Sequence, residues 1–492
     1  MNNHLNQDTI CAIATANGIG AIGIIRISGE KSIEIAQKCF KGEDLTKVSS
    51  HTVHYGFIVE KSQESSAKNE DLDINHLSIN IEEIKPDELI DEVMVAVYKA
   101  PKTFTAEDSV EISYHGSPHI AKKILEVLVK NGARLAKAGE FTMRAFMNGR
   151  IDLAQAESIA DLIASENEAS RKVALNQLKG GISNEISLLR GELLNFTSFL
   201  ELELDFGEED VEFADRTALN ALLDKIEHKL NSLIESFQYG NAVKNGVEVA
   251  IIGKPNAGKS TLLNALLKEE RAIVSDIAGT TRDTIEEVLH IKGNAFRFID
   301  TAGLRETADE IEKIGVAKAK EKIASAKILL YLYDEFDSSA AEVISFIKEF
   351  ERKDLKIILL HNKIDLNGGY FENELDTKIK NALFPDVTNT IIGISAKNAE
   401  SVEAIKTELS HYIEDLKDTE SNVIVTNQRH YEALKNSLSA INLVKETIAS
   451  QISSELLAFE LRNALENLGE ISGEFTNDEV LGNIFSKFCI GK

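Results

Sequence analysis

Two hydrophobic periods divide this chain. Short β-branched runs dominate its first third, and long stripes of period near 3.6 flank its middle. Ile22-Gly23-Ile24-Ile25-Arg26-Ile27, His51 to Val59, Glu92 to Tyr98 and Ser109 to Ser113 read as strands. Ser32 to Phe40 and Pro118 to Lys130 read as helices, the second with Ile120, Ile124, Leu125 and Leu128 on one face. Together they predict an α+β domain over residues 1–149. Within it, Lys61 to Glu88 is polar, acidic and aperiodic, and reads as a loop or insertion.

From residue 150 the pattern turns helical. Ile182, Ile186, Leu189, Leu193, Phe196 and Leu200 alternate steps of four and three, a continuous apolar seam. Asp205-Phe206-Gly207-Glu208-Glu209-Asp210 breaks it, more as a solvated turn than as a metal site. Near the end, Leu434, Leu438, Ile441, Ile448 and Ile452 make a second stripe, and Leu456, Leu457, Leu461 and Leu465 a third. Two helical segments (150–244 and 415–492), each with a seam to bury, predict one helical domain. Between them, residues 245–414 alternate buried-looking strands with helices and read as an inserted α/β domain.

The chemistry is concentrated in that insertion. After the apolar run Val247 to Ile252 comes Gly253-Lys254-Pro255-Asn256-Ala257-Gly258-Lys259-Ser260, followed by the helical Thr261-Leu262-Leu263. Strand, Gly-rich loop and helix are the context that a phosphate-binding loop requires. Backbone N–H groups and the helix start cradle phosphate oxygens; Lys259 reaches the outer phosphates and the Ser260 hydroxyl holds Mg²⁺. Three later tetrapeptides follow strand-like runs in the matching order. Asp300-Thr301-Ala302-Gly303 supplies a carboxylate for Mg²⁺ through water and an N–H for a γ-phosphate. Asn362-Lys363-Ile364-Asp365 supplies a carboxylate able to accept the N1–H and N2 amine of guanine, and Ser395-Ala396-Lys397 closes over the base. The predicted ligand is GTP.

Between the loop and Asp300 lies Ser275-Asp276-Ile277-Ala278-Gly279-Thr280-Thr281, where Thr281 is placed to meet Mg²⁺ and the γ-phosphate. Leu304 cannot orient an attacking water, so that group must come from elsewhere; Glu306, Asp309, Glu310 and Glu312 are the nearby carboxylates. Asn256, with carbonyls of residues 275–281, can coordinate a monovalent cation such as K⁺ in the place of an arginine finger.

Composition narrows the setting. The 492 residues allow about three domains. With 54 basic and 80 acidic residues the net charge is −26, so contact with a nucleic acid needs a local patch or a partner. Three cysteines (Cys11, Cys39, Cys489), no basic-then-apolar leader and no long apolar run lead us to expect a soluble, cytoplasmic protein away from membranes.

Asn256 to Ser260, Gly279-Thr280-Thr281-Arg282-Asp283 and Asp300 to Glu306 resemble the potassium-activated GTPases related to TrmE, Era and EngA. Ile22 to Gly29, Gly139-Glu140-Phe141-Thr142, Asp152 to Glu157 and the terminal Phe488-Cys489-Ile490-Gly491-Lys492 narrow the resemblance to the MnmE (TrmE) family of tRNA modification GTPases, end to end. That resemblance implies modification of C5 of the wobble uridine of certain tRNAs. It implies a homodimer and a heterotetramer with an FAD-dependent partner subunit (MnmG, or GidA), which brings FAD and NADH. It also implies an N-terminal domain similar to tetrahydrofolate-binding domains that presents 5,10-methylene-tetrahydrofolate, with 5-formyl-tetrahydrofolate as an analogue. Carried over, Asn256, Ser275, Ile277 and Thr280 hold K⁺, Ser260 and Thr281 meet Mg²⁺, and Glu312 positions the water. Arg26, Glu111, Arg150 and Lys492 fall on folate-contacting positions. Cys489 is either a chemical participant or a buried thiol among Phe485, Phe488 and Ile490.

Lys122, Lys123, Lys130, Arg134, Lys137 and Arg144 are candidates for a tRNA-facing patch or for plain solvated charges. The competing function is a GTP-dependent assembly switch on ribosomal RNA, as in Era-like proteins. Those carry a basic module after the GTPase, whereas here the stretch after Ser395 is acidic and helical.

Overall fold

The computed structural model describes residues 8–60, 88–205, 216–268, 287–299, 324–352, 354–367, 373–383, 390–417, 423–450, 454–475 and 478–491. Nearly all of the expected Lys61–Glu88 loop and most of the acidic break near residue 206 lie outside them. The chain divides into two compact units, Met1–Ala160 with Gly469–Lys492, and Asp161–Leu468. The expected multidomain plan is what the elements show: an α+β unit, helices from two separated segments, and an α/β sheet inserted between those segments.

The first unit is built on a sheet of seven strands among the described residues. Its strands are β1 (Ile10–Ile13), β2 (Ile22–Ser28), β3 (Phe40–Gly42), β4 (Thr52–Val59), β5 (Leu89–Tyr98), β6 (Ser109–His115) and β7 (Arg134–Leu135). They pair in the order β3-β4-β5-β6-β2-β1-β7. Helices α1 (Ser32–Cys39) and α2 (Pro118–Lys130) join the sheet's main core through Ile33, Ile35, Ala36, Ala121, Ile124, Val127 and Leu128. Proline opens α2 because the first helical N–H needs no partner there. Helix α3 (Glu140–Met147), the start of α4 (Leu153–Ile163) and the chain end share a second core of Leu153, Ala156, Leu481, Phe485 and Phe488.

In the second unit α5 (Glu168–Leu178), α6 (Gly181–Asp205) and α7 (Arg216–Asn245) run beside the helices Gln428–Ala449 and Ser454–Ser472. The expected α6 seam buries Ile182, Ile186, Leu189, Leu193 and Leu200, while Phe196 is half-buried and Thr197 takes the inner place beside it. In the later stripes Leu434, Ile441, Leu457, Leu461 and Leu465 are buried, Leu438 and Ile448 are half-buried, and Leu456 is exposed. Ala458 and Ala464 fill positions that a count of large apolar residues passes over.

Among the described residues the inserted sheet has six strands: β8 (Val247–Gly253), β9 (Glu287–Ile291), β10 (Asn294–Ile299), β11 (Ile328–Tyr333), β12 (Lys356–His361) and β13 (Thr390–Gly393). Their order is β13-β12-β11-β8-β10-β9, parallel except for the edge hairpin β9–β10. Strand β11 is buried at all six positions because helices cover both faces of a parallel sheet. Helix α8 (Lys259–Lys268) and helix Ala399–Leu416 share one core with the sheet. Helices Ala340–Phe350 and Glu374–Leu383 share the other. Loops leaving the carboxyl ends of β8, β12 and β13 therefore meet at one end of the sheet, where ligands bind in such folds. Among the described residues no helix is long and apolar enough to cross a membrane.

Candidate functional site

Strand β8 stops at Gly253 and α8 starts at Lys259, so the intervening turn must reverse tightly. It does so with left-handed backbone at Asn256 (φ 61°) and Gly258 (φ 100°). Glycine is required at 258 for a second reason: a Cβ there would lie 2.2 Å from Asn362 Nδ2. Asn362 is only 4% exposed, and its amide joins three loops. Nδ2 donates to the Ala257 carbonyl at 2.7 Å, and Oδ1 accepts from the Ala396 N–H at 3.0 Å. One side chain thus brings the phosphate-loop, base-reading and closing motifs together.

Lys259 is 8% exposed, and its ammonium donates to the carbonyls of Gly253 (2.6 Å) and Lys254 (2.7 Å). Burial lowers its pKa. Among the described residues it has no carboxylate partner, and a buried cation held by neutral carbonyls alone is what an anionic ligand relieves. Ser260 and Thr261 stand exposed at the helix start. That donor set fits a Mg²⁺-bound triphosphate.

On the base side, Lys363 (φ 64°) sends Nζ to Asp334 Oδ2 at 2.8 Å. Asp365 is exposed on the short turn Ile364–Asn367. Ser395 is buried and its N–H donates to Ser401 Oγ at 3.0 Å, while Lys397 is exposed. The candidates Ser275, Asp276, Ile277, Ala278, Gly279, Thr280, Thr281, Asp300, Thr301, Ala302, Gly303, Glu312 and Lys492 lie outside the described residues.

The first unit holds a cavity of about 420 Å³ lined by Arg26, Tyr98, Phe104, Glu111 and Arg150, among others. Cross-strand pairing sets Arg26 of β2 opposite Glu111 of β6, with Nε 2.8 Å from Oε1. Both guanidinium groups lie against one ring: Arg26 is 4.9 Å and Arg150 5.4 Å from the Phe104 centroid. Arg150 also donates to the Phe104 carbonyl. Burial, with the Arg26 charge, lowers the Arg150 pKa. Sequence reasoning found the three charged groups but missed Phe104, Lys102, His51 and Tyr98, which lie in loops or at a strand end with no motif around them.

Two readings are corrected. Arg144 is no surface cation: it is 1% exposed, with Nη2 2.7 Å from Asp8 Oδ1 and Nη1 3.3 Å from Glu107 Oε2. Arg134 is paired with Asp8 and Glu140, Lys130 with Glu60, and Lys123 with Glu126, so most of the basic patch is neutralised. The view of Cys489 as a buried thiol fails as well, because it is exposed while Phe485 and Phe488 turn inward. A bridge between Ala138 and Ile490 fixes the backbone on its C-terminal side. Cys11 and Cys39 are the buried thiols, and burial pushes Cys11 up to about 12, despite the Arg134 charge.

Comparison with known proteins adds a second line of support. Residues 9–150 match the family described as GTP-binding protein TrmE N-terminus, and residues 153–489 match the family described as MnmE helical domain. The chain is 48% identical to the tRNA modification GTPase MnmE of Flavobacterium johnsoniae, over 99% of this chain and 100% of that one. It is 47% identical to the protein of the same name from Cytophaga hutchinsonii, over 99% and 98%. With the one from Bacteroides thetaiotaomicron it shares 46%, over 99% and 100%.

Proposed function

The chain belongs to the MnmE family of tRNA modification GTPases, and on that premise we propose that it hydrolyses GTP to drive a C5 modification of the wobble uridine of certain tRNAs. The observation that carries the GTP half is the Asn362 clip beside the buried Lys259, which among the described residues has no carboxylate partner. Lys259 would neutralise the outer phosphates, and Ser260 with Thr281 would hold Mg²⁺, with Asp300 reaching it through water. Asp365 reads guanine, and Ser395, Ala396 and Lys397 close over it. Asn256 and the backbone at Ser275, Ile277 and Thr280 would hold K⁺, whose positive charge would serve the transferring phosphoryl group, and Glu312 would position water.

The modification half rests on the first unit. The cavity offers a carboxylate (Glu111) for pterin N–H donors, Arg150 for an anionic tail, and the Phe104 ring for stacking. Its occupant is a one-carbon tetrahydrofolate, and Cys489 faces solvent in the same unit. Residues 1–149 form the folate-binding and dimerising domain, 150–244 and 415–492 the helical domain, and 245–414 the GTP-binding domain. The protein acts in the cytoplasm as a homodimer with an FAD-dependent partner subunit, which draws on NADH.

The test is reconstitution: purified protein, the FAD-dependent subunit, tRNA, GTP, K⁺, NADH, a nitrogen donor and 5,10-methylene-tetrahydrofolate. The expected product is a C5-aminomethyl-type wobble uridine that requires both GTP and folate. Product formed equally without folate removes the cavity from the chemistry.

A further inference from the structure

The guanine-reading segment begins one residue after His361, and His361 belongs to a buried polar network that no nucleotide contact explains. His361 closes β12 with 0% exposure, and Asp376, on helix Glu374–Leu383, is also 0% exposed. Among the described residues Asp376 accepts from three donors. His361 Nδ1 lies 2.9 Å from Oδ2, the Tyr333 hydroxyl 2.6 Å from Oδ1, and the Asn373 N–H 3.3 Å from Oδ2. The Tyr333 and His361 rings stack, with centroids 5.1 Å apart and planes at 21°. His361 Nε2 has no partner among the described residues, so the ring is anchored through Nδ1 alone.

Such an arrangement is expensive. A buried carboxylate needs donors on every side, and an apolar side chain of similar volume packs at lower cost. Burial works to raise the Asp376 pKa, but the bonds from His361 and Tyr333 outweigh it and the net shift is downward, which keeps the group ionised. Burial and the Asp376 charge raise Tyr333, which keeps it a donor.

The network's members stand immediately behind the site. Tyr333 ends β11 and precedes Asp334, whose Oδ2 holds Lys363 Nζ at 2.8 Å. The Tyr333 carbonyl accepts from the Asn362 N–H at 2.8 Å. The His361 carbonyl accepts from the Ile394 N–H at 2.7 Å, one residue before Ser395. The ends of β11, β12 and β13 are thus locked in register at the point where Asn362, Lys363 and Asp365 depart.

We propose that Asp376 is a positioning residue for base recognition, which acts through His361 and Tyr333 to set the register of the Asn362–Asp365 loop and so the protein's preference for guanine. The proposal rests on Asp365 reading the guanine amine. Without Asp376 the two strand ends lose their common anchor, the loop samples other registers, and the carboxylate of Asp365 meets the base less often. Any disturbance passed to the phosphate loop through the Asn362–Ala257 bond falls equally on nucleotides that differ only in the base, so their affinity ratio isolates base recognition.

The experiment measures binding of fluorescent GDP and IDP to the full chain, because hypoxanthine lacks the exocyclic amine. The readout is the ratio of the two dissociation constants, beside kcat and KM for GTP and the melting temperature. Asp365→Ala should collapse the ratio. Asp376→Ala should lower it about tenfold and raise KM, with kcat at saturating GTP within about twofold, the scale of one lost buried hydrogen-bonded anchor. Asp376→Asn should restore most of the ratio, since the amide accepts from Tyr333 and donates to the other imidazole tautomer. Tyr333→Phe removes a single bond and keeps the ring stack. It should cost about threefold, and it decides the matter if Asp376→Ala does not fold. If Asp365→Ala collapses the ratio while the network variants hold it at the wild-type value, the network is structural only and the proposal is overturned. If Asp365→Ala leaves the ratio intact, the base-reading assignment itself is wrong.

Discussion

Gly258→Ala is the most direct perturbation of the clip that joins the phosphate and base loops. A Cβ at 258 would stand 2.2 Å from Asn362 Nδ2, so the asparagine must leave or the loop must move. Leaving forfeits the bonds to Ala257 O (2.7 Å) and Ala396 N (3.0 Å), each worth about 1–1.5 kcal/mol. Holding alanine at φ 100° adds about 1–2 kcal/mol of backbone strain. The free variant escapes both penalties by relaxing its loop, and nucleotide must drive the loop back into the cradle. The total of about 3–5 kcal/mol therefore falls on affinity, a loss of about 10²–10⁴-fold. Fluorescent GDP titration reads it directly. Gly293→Ala is the control, because its φ is also positive (82°) but nothing lies within 4 Å of a Cβ there. It should bind GDP normally. A cycle with Asn362→Ala completes the logic: once the asparagine is gone, the alanine at 258 should add only the strain portion. Near-wild-type GDP affinity in a folded Gly258→Ala protein, or full additivity in the cycle, refutes the reasoning.

Arg144→Leu should destabilise the first unit by about 3–5 kcal/mol, because it leaves Glu140, Glu107 and Asp8 without their shared cation; chemical denaturation checks this. The same cluster sets an acid limit. Burial works to raise the Glu140 carboxyl, but the Arg134 bonds, the Lys137 N–H and the Arg144 charge outweigh it, and Asp8 is lowered first by its Arg134 bond. Groups depressed on folding stabilise the protein above their unfolded pKa and lose that contribution as pH falls through the folded value. Stability should therefore drop below the ordinary carboxylate range near 4.5, and Arg134→Gln should flatten that slope in pH-dependent thermal melts. Asn256→Ala should retain GDP binding yet lose the excess of GTP turnover in KCl over NaCl; unchanged stimulation removes Asn256 from cation binding.

Much of this molecule was legible because its signals are local. A strand, a Gly-rich loop and a helix start are read within twenty residues, and β8, the turn and α8 follow that order. The paired Arg26 and Glu111 were found through resemblance, and the β2–β6 register brings them together across 85 residues of sequence. What stayed hidden depends on partners far along the chain. Nothing near Arg144 says that Asp8, 136 residues away, will bury it. Phe104 lies in a loop without periodicity, so its place against two guanidinium groups has no sequence signal. Asp376 looks like the first-turn acid of an exposed helix, and only its pairing with Tyr333 and His361 shows otherwise. The available hint was a histidine closing the apolar run Ile357 to Leu360.

The central claim is that a working GTP site in this chain drives tRNA modification. Nucleoside mass spectrometry of tRNA from cells lacking the protein, and from the same cells re-expressing the wild type or Lys259→Ala, tests it most directly. The account predicts that the C5-modified wobble uridine disappears, returns with the wild type, and stays absent with Lys259→Ala. Unchanged wobble nucleosides in the deletion, with ribosomal subunits accumulating unjoined, would contradict it and favour the assembly switch instead.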